Sequence, residues 1–174
     1  MTSLRMKLAA ATALTLLCLA SLLPGGFAGT AAADDGNLLV NGMFEEHDGT
    51  VPAGWEGDCW DREEGYSLFY VEPTGGADGG AVAVVENVEL NDARFQQTVP
   101  VEKGKLYRLS GDIKVEGAGG GWGATLSFKD TYTYSEPIFD TGGQWKHVEL
   151  YGRAGAGQKD VTVYIRLGGY GNLT

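Results

Sequence analysis

Apolar and polar residues alternate along several short stretches of this chain, and this period-two pattern constrains its fold more than any other feature. In residues 107–116 the odd positions are apolar or glycine, and the even positions are polar or charged. Residues 161–167 follow the same rule, and residues 93–99 and 124–128 follow it more loosely. This pattern is typical of strands that have one face in a core and the other in water.

Further short stretches predict strands at residues 37–44, 67–71, 81–85, 132–139 and 145–151. Glycine-rich segments between them supply the tight turns that such strands need. Beyond residue 33, apolar residues do not recur with the helical spacing of three to four. About nine short strands of this kind indicate an all-β fold, with two antiparallel sheets packed as a β-sandwich.

The first 33 residues have the pattern of a secretory signal peptide. Arg5 and Lys7 precede a short apolar run, and small residues at positions 31–33 resemble a cleavage site. The run is shorter than the ~20 apolar residues of a membrane-spanning helix. We therefore expect residues 1–33 to be removed. Residues 34–174 would then form one secreted or cell-surface domain that does not insert into a membrane.

The charge of the chain restricts its partners. The 13 Lys and Arg residues and 23 Asp and Glu residues give a net charge of −10. Arg5 and Lys7 are the only charged residues of the leader, so its removal leaves −12. Such a surface repels nucleic acid and anionic lipid, and it favours a neutral or cationic ligand or a divalent cation. Cys59 is the single cysteine after residue 33, so no intramolecular disulfide can form.

An opening motif and three later landmarks resemble one protein family. Residues 37–45 (NLLVNGMFE) and the Pro-Ala-Gly-Trp sequence at 52–55 resemble the start of the carbohydrate-binding modules of families 4, 9, 16 and 22. These modules are galactose-binding-like jelly rolls. Residues 93–97 and 107–110 resemble two of their central strands, and residues 143–145 resemble their penultimate region. The resemblance extends over nearly the whole mature chain.

The resemblance implies a two-sheet antiparallel jelly-roll β-sandwich with a concave sheet face that binds a glycan. It also implies a structural calcium ion, for which Glu45 matches the glutamate of the opening motif. The aspartate-bearing closing strand of the family has no counterpart before Thr174. We therefore expect the sandwich to lack its last strand, which leaves an unpaired edge. The 174 residues would then be a fragment of a longer protein with further domains.

The tryptophans fall into two groups. Trp55 and Trp145 stand where the resembling family buries a tryptophan, so we expect both to be structural. Trp60 and Trp122 lie in or beside polar and glycine-rich loops. A flat ring in such a place can stack on the C–H face of a sugar. The alternative is that both rings pack against loops at the rim of the sandwich.

The polar side of the predicted strands supplies further candidates, because residues that face away from the core would line any groove on a sheet. Arg94 and Gln96 lie on such a side, and relatives in the resembling family contact sugar from this strand. The same parity selects Tyr164, Arg166, Arg108, Ser110 and Asp112. An ordinary solvated sheet face is the alternative for all of them.

Tyr132 and Tyr134 stand two residues apart in a predicted strand, which would place their rings on one face about 7 Å apart. Such a pair could form a platform for a sugar. The alternative is that both rings belong to the core.

The sequence contains no recognisable catalytic group, and we expect no enzyme. Neighbouring acids such as Glu63 and Glu64 would point to opposite faces of a strand. His47 and His147 lack the spacing of a zinc site. Cys59 follows Asp58, and this acidic setting opposes thiolate formation.

Two functions remain open. In the first, the domain binds a polysaccharide or glycoconjugate and tethers an attached enzyme to it. In the second, it is a structural or protein-interaction spacer of a cell-surface protein without sugar affinity. Exposed aromatic rings that converge with Arg94 and Gln96 on one face would favour the first function.

Overall fold

The computed structural model describes residues 4–16, 36–119 and 121–169, and for residues 4–16 it describes the backbone alone. Within these ranges the chain forms strands and turns and no helix. The strands are β1 Leu4–Leu16, β2 Glu56–Cys59, β3 Ser67–Glu72, β4 Val82–Asn87, β5 Ala93–Pro100, β6 Leu106–Glu116, β7 Ala124–Phe128, β8 Lys146–Arg153 and β9 Asp160–Leu167. The predicted all-β class is confirmed.

The strands form two antiparallel sheets that share one core. The five-stranded sheet has the order β3-β4-β1-β6-β8, and the four-stranded sheet has the order β2-β5-β9-β7. Buried side chains from both sheets, among them Val85, Ile113, Phe95 and Ile165, belong to a single hydrophobic cluster. The chain is therefore an antiparallel β-sandwich. Its jelly-roll connectivity stays a prediction.

After residue 36, alternation predicted most strands to within two residues, but three segments differ. Residues 37–44 contain a turn at 40–43 and no continuous strand, with positive φ angles of 49° at Asn41 and 60° at Phe44. Residues 132–139 pair with β7 through two isolated bridges and do not form a continuous strand. Strand β2 was missed because its sequence, Glu-Gly-Asp-Cys, has no apolar alternation.

One buried amide ties the opening turn to the four-stranded sheet. The Gln97 side chain accepts a hydrogen bond from the Val40 amide at 2.8 Å. It donates to the carbonyl oxygens of Val40 at 3.0 Å and Gly54 at 2.9 Å. Three backbone groups of two loops thus depend on one side chain, which is only 6% exposed.

Two aromatic residues of the opening motif pack beside this amide. Trp55 is buried, as predicted, and its ring lies edge-on to Phe44 with 5.5 Å between the ring centroids. Its indole N–H donates to the carbonyl oxygen of Val40 at 3.1 Å. Trp145 is only partly buried, and its ring lies 4.8 Å from the ammonium group of Lys114. The structural prediction therefore holds fully for Trp55 and in part for Trp145.

Part of the predicted signal peptide takes a central place in the five-stranded sheet. The backbone of β1 pairs antiparallel with β4 on one side and with β6 on the other. Removal of residues 1–33 would therefore take away a strand between two others. The expected absence of a closing strand stays a prediction.

Replacing Gln97 by alanine is expected to destabilise the domain by about 2–3 kcal/mol, because the Val40 amide N–H and the Gly54 carbonyl oxygen would lose this partner, while the Val40 carbonyl oxygen would keep the Trp55 indole. Urea unfolding followed by tryptophan fluorescence measures this change. Gln144→Ala is the matched control, since Gln144 is exposed. Equal midpoints for the two variants would show that Gln97 does not hold the opening turn.

Candidate functional site

A groove of about 700 Å³ lies over the polar face of the four-stranded sheet. Four of the six predicted sugar-binding residues line it, namely Trp60, Arg94, Gln96 and Tyr164. Sequence reasoning missed several other lining residues, including Glu56, Asp58, Asp92 and Lys129. The groove thus collects aromatic, amide, cationic and anionic side chains in one place.

Strand register explains why these residues meet. Arg94 on β5 lies opposite Asp58 on β2 and opposite Arg166 on β9. Two residues further along β5, Gln96 lies opposite Glu56 and Tyr164. Because side chains at every second position share a face, these two rows of residues cover one side of the sheet.

Arginine–aspartate pairs form the floor of the groove. Arg94 contacts Asp58, and its guanidinium also lies 3.5 Å from a carboxylate oxygen of Asp92. Arg62 reaches Asp58 from the adjoining loop at 2.9 Å. Burial by itself raises the pKa of Asp58, but the charge of Arg94 and hydrogen bonds from Arg62 and Arg94 outweigh burial. The pKa of Asp58 therefore lies below its ordinary value of 3.8.

A second pair is buried beside the first. Arg166 is 1% exposed, and its Nε donates to Asp92 at 2.6 Å while its Nη2 contacts the other carboxylate oxygen. The guanidinium carbon of Arg166 lies 5.6 Å from the ring centroid of Tyr164. Arg94 approaches the same ring to 5.1 Å. Tyr164 therefore lies between two cations, and the ion pairs restrict its position.

Three buried polar atoms on this face have no hydrogen-bond partner among the described residues. They are the Nε of Arg94, the hydroxyl of Thr125 and the hydroxyl of Ser127. Thr125 lies opposite Arg166, and Ser127 lies opposite Tyr164. Buried polar groups are rarely left unpaired in folded proteins, so an unpaired group can mark a place where a ligand or water binds.

Trp60 offers the most accessible ring of the groove. It is 71% exposed, and its backbone amide donates to the carbonyl oxygen of Asp92 at 2.9 Å. The backbone of Trp60 is therefore held beside Asp92, while its ring lies outside the core. This exposure does not agree with packing against a loop, and a position at the rim of the sandwich stays the alternative for Trp60.

Trp122 and Tyr134 lie beside the groove but do not line it. Their rings meet edge to face with 4.7 Å between centroids, and Arg166 lies 5.9 Å from the Tyr134 ring. Tyr132 is 95% exposed, whereas Tyr134 is partly buried. The predicted platform of Tyr132 and Tyr134 is not formed, because residues 132–139 are not a regular strand.

The remaining parity candidates belong to the other sheet. Arg108, Ser110 and Asp112 lie on β6, opposite Tyr151, Glu149 and His147 of β8. The sequence pattern could not separate them from the groove residues, because both sheets have one polar face.

Glu45 is not among the residues that line the groove, and it contacts the loop before β4. Its carboxylate accepts the amide of Ala81 at 2.9 Å. A side chain at Gly80 would collide with this carboxylate and would lie 3.3 Å from the Asp78 carboxylate, so the two acids converge there. The described residues contain no group of three or more His, Cys, Asp or Glu side chains placed to hold a metal ion. A calcium ion at Glu45 stays a prediction.

Cys59 lies next to the groove floor as a free thiol. Burial raises the pKa of this thiol, and the negative charge of Asp58 raises it further. The prediction that the acidic setting opposes thiolate formation is therefore confirmed in direction.

Comparison with protein-family models, with curated proteins and with solved structures finds no match to this chain. Within residues 36–119 and 121–169, and in the backbone of residues 4–16, no helix is long and apolar enough to cross a membrane.

Because the folded pKa of Asp58 is lowered, its contribution to stability is present above its unfolded pKa and is lost as pH falls through the folded pKa. We expect Asp58→Asn to lower the melting temperature near pH 6, since Arg94 loses a charged partner. The difference from the parent should shrink between about pH 5 and pH 2. Melting curves across this range measure it, and a constant difference would contradict the role of the Asp58 charge.

Proposed function

We propose that the mature domain is a secreted, non-catalytic carbohydrate-binding module that binds a polysaccharide or glycoconjugate in the groove of the four-stranded sheet. The observation that carries the proposal is the convergence of Trp60, Arg94, Gln96 and Tyr164 on one groove. The sequence criterion for binding is that exposed aromatic rings converge with Arg94 and Gln96 on one face; in this groove Trp60 is the exposed ring, and Tyr164 is 4% exposed.

The groove has the chemical parts that sugar binding requires. A pyranose presents an apolar C–H face and a rim of hydroxyl groups, so it needs an aromatic ring and fixed hydrogen-bonding groups. Trp60 supplies an open ring. Gln96, whose amide nitrogen donates to Glu56 at 3.1 Å, supplies a polar group held in place by its neighbour.

The charges favour a neutral or cationic glycan. Arg94 and Arg166 are paired with Asp58 and Asp92, so these two guanidinium groups attract an anionic polymer less than unpaired cations would. The net charge of −12 after leader removal repels polyanions at longer range.

The same pairing supports a role without catalysis. Glycoside hydrolysis needs one carboxylic acid with a raised pKa to protonate the leaving group. In the groove, Asp58 has a lowered pKa, Asp92 is paired with two arginines, and Glu56 accepts a hydrogen bond from the Gln96 amide. Binding alone would still be useful, because a module of this kind raises the local concentration of an attached enzyme at its substrate.

We expect Trp60→Ala to weaken glycan binding at least ten-fold, about 1.4 kcal/mol, because the stacking ring is lost. Affinity electrophoresis of the exported protein in gels containing xylan, β-glucan, mannan, chitosan or polygalacturonate measures binding. We predict retardation by a neutral or cationic polymer and none by polygalacturonate.

Tyr132→Ala is the matched control for this experiment, because Tyr132 is an exposed ring outside the groove lining. If no polymer retards the protein, or if both variants lose binding equally, the spacer function replaces the one proposed.

A structural calcium ion at Glu45 is part of the proposal, since the opening motif carries this glutamate and Asp78 converges on the same loop. We expect calcium to raise the melting temperature by several degrees and a chelator to reverse the rise. Glu45→Gln keeps an acceptor for the Ala81 amide but removes the charge, so it should abolish the calcium response.

Glu46→Gln is the control for calcium, because Glu46 is an exposed neighbour of the same charge. An unchanged melting temperature of the parent protein in calcium, or an equal response of the two variants, would contradict a calcium site at Glu45.

A further inference from the structure

The five-stranded sheet has a position between β4 and β6 that is one strand wide. A single strand, β1, pairs with both neighbours there. Since adjacent strands lie about 4.8 Å apart, β4 and β6 stand about 10 Å from each other. This position, the β4–β6 slot, is occupied by residues that carry the pattern of a cleavable leader.

Loss of the leader would expose groups that are costly to leave unpaired. Every residue of β4 is buried, and the inward side chains Ala83, Val85, Ile113 and Val115 are at most 1% exposed. An empty slot would uncover these side chains and two rows of backbone N–H and C=O groups in mid-sheet. A strand of matching pattern would restore both kinds of contact.

The register defines which strand fits the slot. The positions of Met6 and Leu8 lie opposite inward core residues, Val85 and Val115 for the first and Ala83 and Ile113 for the second. Apolar residues are needed at these alternate positions.

The outward position of Arg5 lies opposite Glu86 on β4 and Glu116 on β6. Opposite charges across a strand pair stabilise the sheet and like charges destabilise it, so this position favours a cation.

We propose that the β4–β6 slot of the exported domain is a binding site for an antiparallel β-strand of another polypeptide, apolar at alternate positions and cationic opposite Glu86 and Glu116. A second copy of the domain is a poor donor, because β2 to β9 are all paired within their own chain. This mode of recognition is β-strand addition, in which main-chain hydrogen bonds supply affinity and side-chain pockets supply specificity. The proposal is independent of glycan binding.

The test starts from the folded full chain with a protease site placed within residues 26–32. After cleavage, a fluorescent peptide of residues 4–16 serves as the probe strand, and anisotropy follows its exchange into the slot. We expect saturable binding. Unlabelled Arg5→Glu peptide should compete at least ten-fold more weakly than the parent peptide, because it brings a third negative charge beside Glu86 and Glu116.

A Leu8→Pro peptide is the second control, since proline removes a ladder donor and should not compete. If the cut chain unfolds when its fragment leaves, refolding in the presence of the parent peptide, and not of the proline peptide, also supports the proposal. Failure of the parent peptide to restore the fold would overturn it.

The exported domain, recovered with its leader already removed, should bind the same probe. Hydrogen exchange should show fast amides in β4 and β6 that the peptide protects. A monomer with protected β4 and β6 amides and no peptide binding would show that the sheet has closed directly. A dimer that refuses the peptide would assign the slot to a second copy, and either result would overturn the proposal.

Discussion

The groove depends on how one buried arginine is compensated. Arg166 lies on the polar face of the four-stranded sheet at 1% exposure, and an unpaired charge there would be costly. Asp92, immediately before β5, pairs with this arginine and also contacts Arg94, which in turn contacts Asp58 on β2. The chain of pairs joins three strands, restricts the ring of Tyr164 and leaves Trp60 as the exposed margin of the same surface.

The sandwich was predictable because its signal is local. In β5, β6 and β9 the polarity of a residue indicates which side of the sheet it faces. The alternation within β9 was enough to predict that Tyr164 and Arg166 share one face. The pairing of strands is not local. Nothing in the alternation distinguished Arg94 on the groove face from Arg108 on the other sheet, and β2, which brings Asp58, has no apolar pattern at all. The sequence did not identify Asp92 as a groove residue, because Asp92 precedes a strand and an aspartate in that place is typical of a turn.

The two sheets divide the requirements of the domain between them. The four-stranded sheet has a polar outer face with buried pairs and an accessible ring, which suits reversible contact with a hydrated polymer. The central strand of the five-stranded sheet, β1, comes from the predicted signal peptide, so completion of the sheet and the predicted cleavage would involve the same residues. The proposed glycan-binding face and the proposed strand-binding slot can act independently, because the groove lining contains no residue of β1, β4 or β6.

The central claim is that a glycan meets the domain on the polar face of β5 and β9. Amide chemical-shift mapping of the exported domain during titration with oligosaccharides from the polymer that retards it tests this claim most directly. The account predicts saturable shifts confined to β2, β5, β9 and the residues around Trp60 and Asp92. Shifts centred on the outer face of β6 and β8, or none on β5, would contradict it.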